Sequence, residues 1–131
     1  MDIEINFTGN KKIDAVINGY TVKTDQRKEA GGDAEVPTSF ELFLASLATC
    51  SGFYVKSFCD QRNIPSEQIR MFMHVERNPD NHSIEKIGIE IVLPPDFPEK
   101  YKSAVIKAAD SCSVKKIILS PPEFEVFSSS F

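Results

Sequence analysis

Three cysteines are the residues of this 131-residue chain best suited to chemistry. Cys50 lies within a long apolar run, Cys59 follows nine residues later, and Cys112 lies close to the C-terminal end. A cysteine thiolate is a nucleophile that can be oxidised to sulfenic acid and then to a disulfide. An odd number of cysteines without a secretion signal favours reduced thiols in a reducing compartment. Cys50 is the predicted chemical centre of the chain.

Helix geometry limits which cysteines can form a disulfide. The apolar run predicts one continuous helix, in which Cys50 and Cys59 are about half a turn out of phase and roughly 13.5 Å apart along the axis. A disulfide requires Cα atoms within about 7 Å. Cys50 and Cys59 therefore cannot bridge, and Cys112 is the only other intrachain partner for either of them.

The predicted surroundings of the thiols differ. Cys112 falls at the start of a short helix, where the helix dipole and unpaired N–H groups favour the thiolate. Cys50 lies among apolar side chains, which raise a thiol pKa, so its reactivity requires a cation and hydrogen-bond donors. Arg27 is the candidate cation, and Ser46 and Tyr54 are one turn away on either side. The alternative for any of these cysteines is a buried residue that acts as a small hydrophobe.

The elements that must position these thiols begin with three strands. Residues 2–25 alternate between apolar and polar types, and Asn18-Gly19 is a strong hairpin-turn signal. Residues 25–37 have no periodic pattern and predict a long loop. Thr38 and Glu41 form a capping box that starts a helix expected to end near residues 62–63. Because this helix is apolar on nearly every side, it is expected to be central and buried.

The remaining elements complete an α+β pattern. Two alternating strands around residues 69–93 flank a turn at 78–81, and Asp96 with Glu99 suggests a second capping box. A short helix is expected from residues 110–111, and residues 124–127 read as a last strand. The order βββ-α-ββ-α-α-β predicts one domain over residues 1–131. The central helix is too apolar to be covered by one small sheet alone, which favours a homodimer.

Charge and composition exclude several function classes. The net charge is −4 and no basic run exceeds two residues, so nucleic-acid binding is not expected. The N-terminus does not resemble a signal peptide, and no stretch reads as a membrane span, which predicts a cytoplasmic protein without a membrane partner. His74 and His82 lack ligand spacing with the cysteines, so neither a metal nor a bound cofactor is predicted.

Two motifs resemble those of a known family. Residues 37–50, PTSFELFLASLATC, resemble the P-x-x-x-E-L-x-L-A-x-L-x-x-C helix of the OsmC/Ohr family (osmotically inducible protein C and organic hydroperoxide resistance proteins). Residues 109–114, ADSCSV, are similar to the second cysteine motif of that family. The element order agrees as well, so the resemblance covers most of the chain and points to a less characterised OsmC-like branch.

The resemblance implies a fold, an activity and two thiol roles. The fold would be an intertwined homodimer around two central helices. The activity would be thiol-dependent reduction of small organic hydroperoxides, with Cys50 as the peroxidatic cysteine, Cys112 as the resolving cysteine and an external dithiol as reductant. The alternative is a redox-sensing or small-apolar-ligand-binding OsmC-like protein with little turnover.

The resemblance also implies a charge pair that this sequence only partly supplies. Family peroxidases use an arginine in the loop before the helix, for which Arg27 is the candidate, and a glutamate ten residues before the first cysteine. Phe40 occupies that position here, and Glu41 lies one residue later, on the opposite helix face from Cys50 by ideal geometry. Other features of the branch are Thr24-Asp25-Gln26, Gly31-Gly32-Asp33 and the F-C-x-x-R motif at residues 58–62.

Overall fold

The computed structural model describes residues 1–130. Contacts divide the chain into two compact units, Met1–Ala45 and a second unit that begins at Ser46. The helix that contains Cys50 crosses this division. The expectation of a single domain over residues 1–131 stays a prediction.

The first unit contains a three-stranded antiparallel sheet in the order β1-β2-β3, as the alternating pattern predicted. The strands are β1 (Glu4–Gly9), β2 (Lys12–Ile17) and β3 (Tyr20–Thr24). Asn18 and Gly19 have φ values of 49° and 81°. Two consecutive positive φ angles are those of the tight hairpin turn that an Asn-Gly pair favours. Ile17 therefore pairs directly with Tyr20 across the turn.

The loop after β3 is ordered around one buried carboxylate. The side chain of Asp25 is fully buried and accepts hydrogen bonds from the backbone N–H groups of Gln26, Asp33 and Glu35. The Lys12 Nζ atom lies 3.8 Å from a carboxylate oxygen of Asp25. These N–H bonds, first that of Gln26, lower the pKa of Asp25 below its ordinary value. One side chain thus joins both ends of the loop.

Two glycines allow this loop to close. Gly31, at φ 90°, ends a short 3-10 turn (Lys28–Ala30) in the left-handed region that glycine favours. A Cβ atom on Gly32 would lie 2.0 Å from the carbonyl oxygen of Gln26, so no larger residue fits there. The Thr24-Asp25-Gln26 and Gly31-Gly32-Asp33 features are therefore explained by loop architecture.

The long helix α1 (Ser39–Gln61) begins and ends where the sequence predicted. Thr38 Oγ1 accepts the N–H of Glu41, and Glu41 Oε1 accepts the N–H of Thr38, which completes the capping box. Beyond the C-terminus of the helix, Asn63 adopts a positive φ of 54°. The single chain buries only part of α1, because Phe53 remains 63% exposed and Phe40 and Phe43 are also exposed.

The second unit packs an antiparallel hairpin and two short helices around the C-terminal part of α1. Strands β4 (Arg70–Arg77) and β5 (Ile84–Val92) pair in the predicted order, followed by α2 (Lys102–Ala109) and α3 (Ser113–Leu119). The core of this unit consists of buried, mostly aliphatic and aromatic side chains: Val55, Phe58, Cys59, Ile64, Phe97, Val105 and Ala109. It fixes the helix segment that contains Cys50 against the segment that contains Cys112.

Two sequence expectations about the helices of this unit are wrong. The Asp96–Glu99 capping box does not form, because a residue that precedes proline disfavours helical angles and Pro98 follows Phe97. A 3-10 turn (Glu99–Tyr101) instead leads into α2. The short helix begins at Ser113 rather than at residues 110–111.

The predicted last strand is also absent from residues 121–130 of the described chain. Its apolar side chains project into solvent, with Phe124 87% and Val126 100% exposed. A strand requires a neighbouring edge with which to form hydrogen bonds, and alternation alone cannot supply one.

The expectation that no segment could span a membrane needs correction. By length and composition, α1 is apolar enough to cross one. Core helices of soluble proteins pass the same test, so this observation is weak evidence for a membrane location.

Candidate active site around Cys50 and Cys112

Cys112 is the N-cap of α3 and not, as expected, a residue of its first turn. Its Sγ atom accepts the backbone N–H of Lys115 at 3.4 Å. The side chain is buried, with 2% of its surface exposed, and its Sγ also lies 3.9 Å from the carbonyl oxygen of Leu47 on α1. Cys112 therefore caps one helix while it faces another.

Cys50 lies on α1 at the point where this helix meets the start of α3. The backbone N–H of Val114 is the main group that lowers the pKa of Cys50, followed by the hydroxyl of Ser113. The Ser113 Oγ atom is 3.5 Å from Cys50 Sγ. Together these groups outweigh partial burial and lower the pKa of Cys50 to about 7. The donors required by an apolar setting thus come from α3.

The start of α3 consequently acts on a different thiol from the one expected. Sequence reasoning assigned the favourable helix start to Cys112, because Cys112 is next to that helix in the chain. In the folded unit the backbone N–H groups of Ser113 and Val114 stabilise the thiolate of Cys50 and so lower its pKa. Half-buried Cys50 combines a lowered pKa with partial access, the combination typical of reactive thiols.

The two thiols are neighbours. Cys112 is itself one of the hydrogen-bonding groups that lower the pKa of Cys50, and both cysteines are free thiols in this structure. Ser51, next to Cys50, donates a hydrogen bond of 3.1 Å from its buried Oγ to the Ala109 carbonyl at the end of α2. This bond joins α1 to the segment that leads to Cys112 and holds the two cysteines in reach of each other.

Cys59 belongs to the core. It is fully buried among the side chains of the second unit, and desolvation raises its pKa above the ordinary value. Arg62, in the same F-C-x-x-R motif, stacks its guanidinium 3.7 Å from the ring centre of Phe58. This motif therefore closes the C-terminal end of α1 and has no visible part in thiol chemistry.

Arg27 and Glu41 come together in the first unit. Both line a shallow cavity before α1, and the positive charge of Arg27 is the last of the effects that lower the pKa of Glu41. The largest effect is the hydrogen bond from the Thr38 N–H. Glu41 is thus accounted for first by its capping box, and the positive charge of Arg27 adds a smaller electrostatic effect.

A cavity of about 700 Å³ lies in the second unit and has Cys112 in its wall. Aliphatic side chains of β5, α2 and α3 supply most of its lining, including Ile87, Ile89, Ile106, Ile118 and Leu119. Lys86, Lys107 and Lys115 also lie along it. The volume is in the range of pockets that accept small organic molecules.

Comparison with known proteins supports the resemblance seen in the motifs. The family described as OsmC-like protein matches residues 31–127, which include the cysteine motifs and the helices that contact them. The chain belongs to the OsmC-like family. No curated protein matches its sequence. The fold of this family is a soluble one, which favours a core role for α1.

Solved structures agree with the OsmC-like fold. An osmotic stress induced and detoxification response protein from Psychrobacter arcticus gives a TM-score of 0.72 at 17% identity, covering 87% of this chain and 85% of that one. An OsmC-like protein from Mycoplasma pneumoniae gives 0.68 at 13%, with 92% and 87% covered. An organic hydroperoxide resistance protein OsmC from Legionella pneumophila gives 0.55 at 15%, with 90% and 89% covered. At such identities the likeness shows the fold alone.

Sequence reasoning missed Ser113 and Val114 as partners of Cys50. Both residues fall in the second motif of the OsmC-like family, so their position was visible. The sequence also shows that Ser113 carries a hydroxyl that can donate a hydrogen bond. Its direction toward Cys50, 63 residues earlier in the chain, is visible only in the folded unit.

Proposed function

We propose that this protein reduces organic hydroperoxides through Cys50 and Cys112. The observation that carries the proposal is the Cys50 thiol, which has a pKa of about 7 and lies within hydrogen-bonding reach of a second free thiol. Membership of the OsmC-like family and the likeness to a hydroperoxide resistance protein support a redox or peroxide-related role. We assign Cys50 as the peroxidatic and Cys112 as the resolving cysteine.

The proposed reaction has three balanced steps. The Cys50 thiolate attacks the terminal oxygen of the hydroperoxide, the O–O bond breaks, and the alkoxide leaves and takes a proton from water to become an alcohol. Cys50 is then a sulfenic acid. The Cys112 thiol attacks its sulfur, an S–S bond forms, and water leaves. An external dithiol reduces this disulfide and is itself oxidised to a disulfide.

Arg27 and Glu41, which both lie in the first unit, are also proposed to assist this reaction. Arg27 stands in the loop that Asp25 orders, it lines the same cavity as Glu41, and its charge lowers the pKa of Glu41. Phe40, at the position of the family glutamate, cannot take part in a charge pair. We assign Glu41 the charge-pairing role that Phe40 cannot fill, in addition to its capping role.

Peroxide consumption by variants in which one cysteine is replaced tests the proposal. With tert-butyl hydroperoxide and dithiothreitol, Cys50→Ser should fall to the uncatalysed background because the nucleophile is gone. Cys112→Ser should still form a sulfenic acid on Cys50, trapped by dimedone, but no Cys50–Cys112 disulfide. Cys59→Ser is the matched control and should retain the activity. A Cys50→Ser protein that consumes peroxide at the wild-type rate would overturn the assignment.

A second candidate is redox sensing or binding of a small apolar ligand with little turnover. The cavity beside Cys112 favours it, because its largely aliphatic lining suits an apolar molecule and its wall includes a thiol. In this case the native protein would bind an apolar fluorophore in the cavity, and a dithiol would support only slow peroxide consumption.

The cellular setting and assembly are also proposals. Three free thiols suit a reducing compartment, and we assign the protein to the cytoplasm on that ground. We propose a homodimer in which a second copy covers the exposed aromatic side chains of α1, among them Phe53. No bound cofactor enters the proposed reaction.

A further inference from the structure

The Cys50 sulfur contacts a hydroxyl group that the proposed reaction of the two cysteines does not require. Ser113 Oγ lies 3.5 Å from Cys50 Sγ, and the two residues are 63 positions apart. Ser113 is the first residue of α3 and is exposed, so its hydroxyl could equally well point to solvent. Cys112 already caps α3 through the Lys115 N–H, and the Ser113 side chain is therefore free of that structural task.

The direction of this hydrogen bond depends on the ionisation of Cys50. In the thiol form either atom can be the donor, and a thiol is a weak donor. In the thiolate form only the hydroxyl can donate, and a hydrogen bond to a charged acceptor is the stronger type. The Ser113 hydroxyl therefore stabilises the thiolate more than the thiol.

We propose that Ser113 is a positioning residue of the thiol site, whose hydroxyl donates to the Cys50 thiolate and holds that sulfur beside Cys112. Its consequence for catalysis rests on the proposed peroxidase function. The hydrogen bond itself does not depend on that function, because it affects the reaction of Cys50 with any electrophile. A thiol-directed reagent therefore separates the two questions.

Ser111 offers a matched control. It is the same residue type, two positions earlier on the other side of Cys112, and its Oγ donates to the Lys107 carbonyl at 3.2 Å. Ser111→Ala thus removes one hydroxyl from the same segment without touching Cys50. Ser113→Ala keeps the backbone N–H groups of residues 113 and 114. Any change in the pKa of Cys50 therefore comes from loss of the hydroxyl alone.

The experiment measures the rate of Cys50 alkylation by iodoacetamide against pH, with Cys50 resolved by peptide mass spectrometry. The wild-type midpoint is expected near pH 7. Ser113→Ala should raise the midpoint by roughly one pH unit, which lowers alkylation at pH 7 roughly fivefold. Ser113→Thr, which keeps the hydroxyl, should restore the wild-type midpoint, and Ser111→Ala should leave it unchanged.

A Ser113→Ala profile identical to that of the wild type would overturn the inference, because the amides would then account for the whole effect. Failure of Ser113→Thr to restore the midpoint, with the fold intact by circular dichroism, would also reject it. Failure of the peroxidase proposal looks different. The wild type would then alkylate with a midpoint near 7 and respond to Ser113→Ala, yet would not consume hydroperoxide.

Discussion

Asp25 illustrates how one side chain can organise a loop. Its carboxylate accepts three backbone N–H groups from residues that span the loop and lies beside the Lys12 ammonium. A buried carboxylate is tolerated only when it is paired and hydrogen-bonded, and here both conditions hold. Arg27, a proposed site residue, lies in the same loop, so the Asp25 hydrogen bonds order the backbone on both sides of it.

The pH dependence of the free energy of unfolding should reflect the lowered pKa of Asp25. Its pKa is lowered in the folded state, so its contribution is complete above the unfolded value of about 4 and is lost as pH falls toward the folded value. Asp25→Asn should lower the urea midpoint at pH 7 and flatten its decline between about pH 5 and pH 3. Asp80→Asn, in an exposed turn, is the control and should keep the wild-type slope. An unchanged slope in Asp25→Asn would contradict this role.

At the scale of elements, the start of α1 combines a structural and an electrostatic task. The side chains of Thr38 and Glu41 accept each other's backbone N–H groups. The positive charge of Arg27 also lowers the pKa of Glu41. The two tasks can be separated because an amide side chain keeps the acceptor oxygen and removes the charge.

Two substitutions separate these tasks. Thr38→Ala removes the cap and should lower the free energy of unfolding by about 1 kcal/mol. Glu41→Gln keeps an acceptor for the Thr38 N–H and should cost less stability than Thr38→Ala. Peroxide consumption should also fall in Glu41→Gln, because this variant lacks the negative charge that interacts with Arg27. Thr49→Ala serves as the control, because the Thr49 hydroxyl donates to the Ser46 carbonyl within the same helix and takes no part in the cap. Equal stability loss in Glu41→Gln and Thr38→Ala would reject the separation.

At the scale of the whole molecule, large apolar side chains remain exposed in the single chain. Phe53 on α1 and Phe124, Val126 and Phe127 in the C-terminal segment all project into solvent. Exposed apolar surface of this kind typically marks an interface. A second copy of the chain is the proposed cover.

Sedimentation should show a species of about twice the 14.7 kDa chain mass. Phe53→Asp should shift the equilibrium toward the monomer, because a charge would be buried without a partner in the interface. Lys56→Ala changes another exposed position of α1 and should leave the dimer intact. A monomeric wild type at micromolar concentration would contradict the assembly.

The sequence by itself determined the local structure of this protein. The Asn18-Gly19 turn, the Thr38–Glu41 capping box and the two strand pairs follow from residues close together in the chain, whose energetics are local. The two cysteine motifs were also visible, because they are contiguous. Pro98 was visible too, and its effect on the preceding residue should have excluded a helix start at Asp96.

Tertiary structure alone decided which groups activate Cys50. The N–H groups at the start of α3 are adjacent to Cys112 in the chain, yet packing of α1 against α2 and α3 directs them to Cys50. The last predicted strand failed for the same reason, since its hydrogen bonds require an edge that residues near it do not provide. Contacts between residues far apart in sequence depend on how the elements pack, and periodicity does not encode that packing.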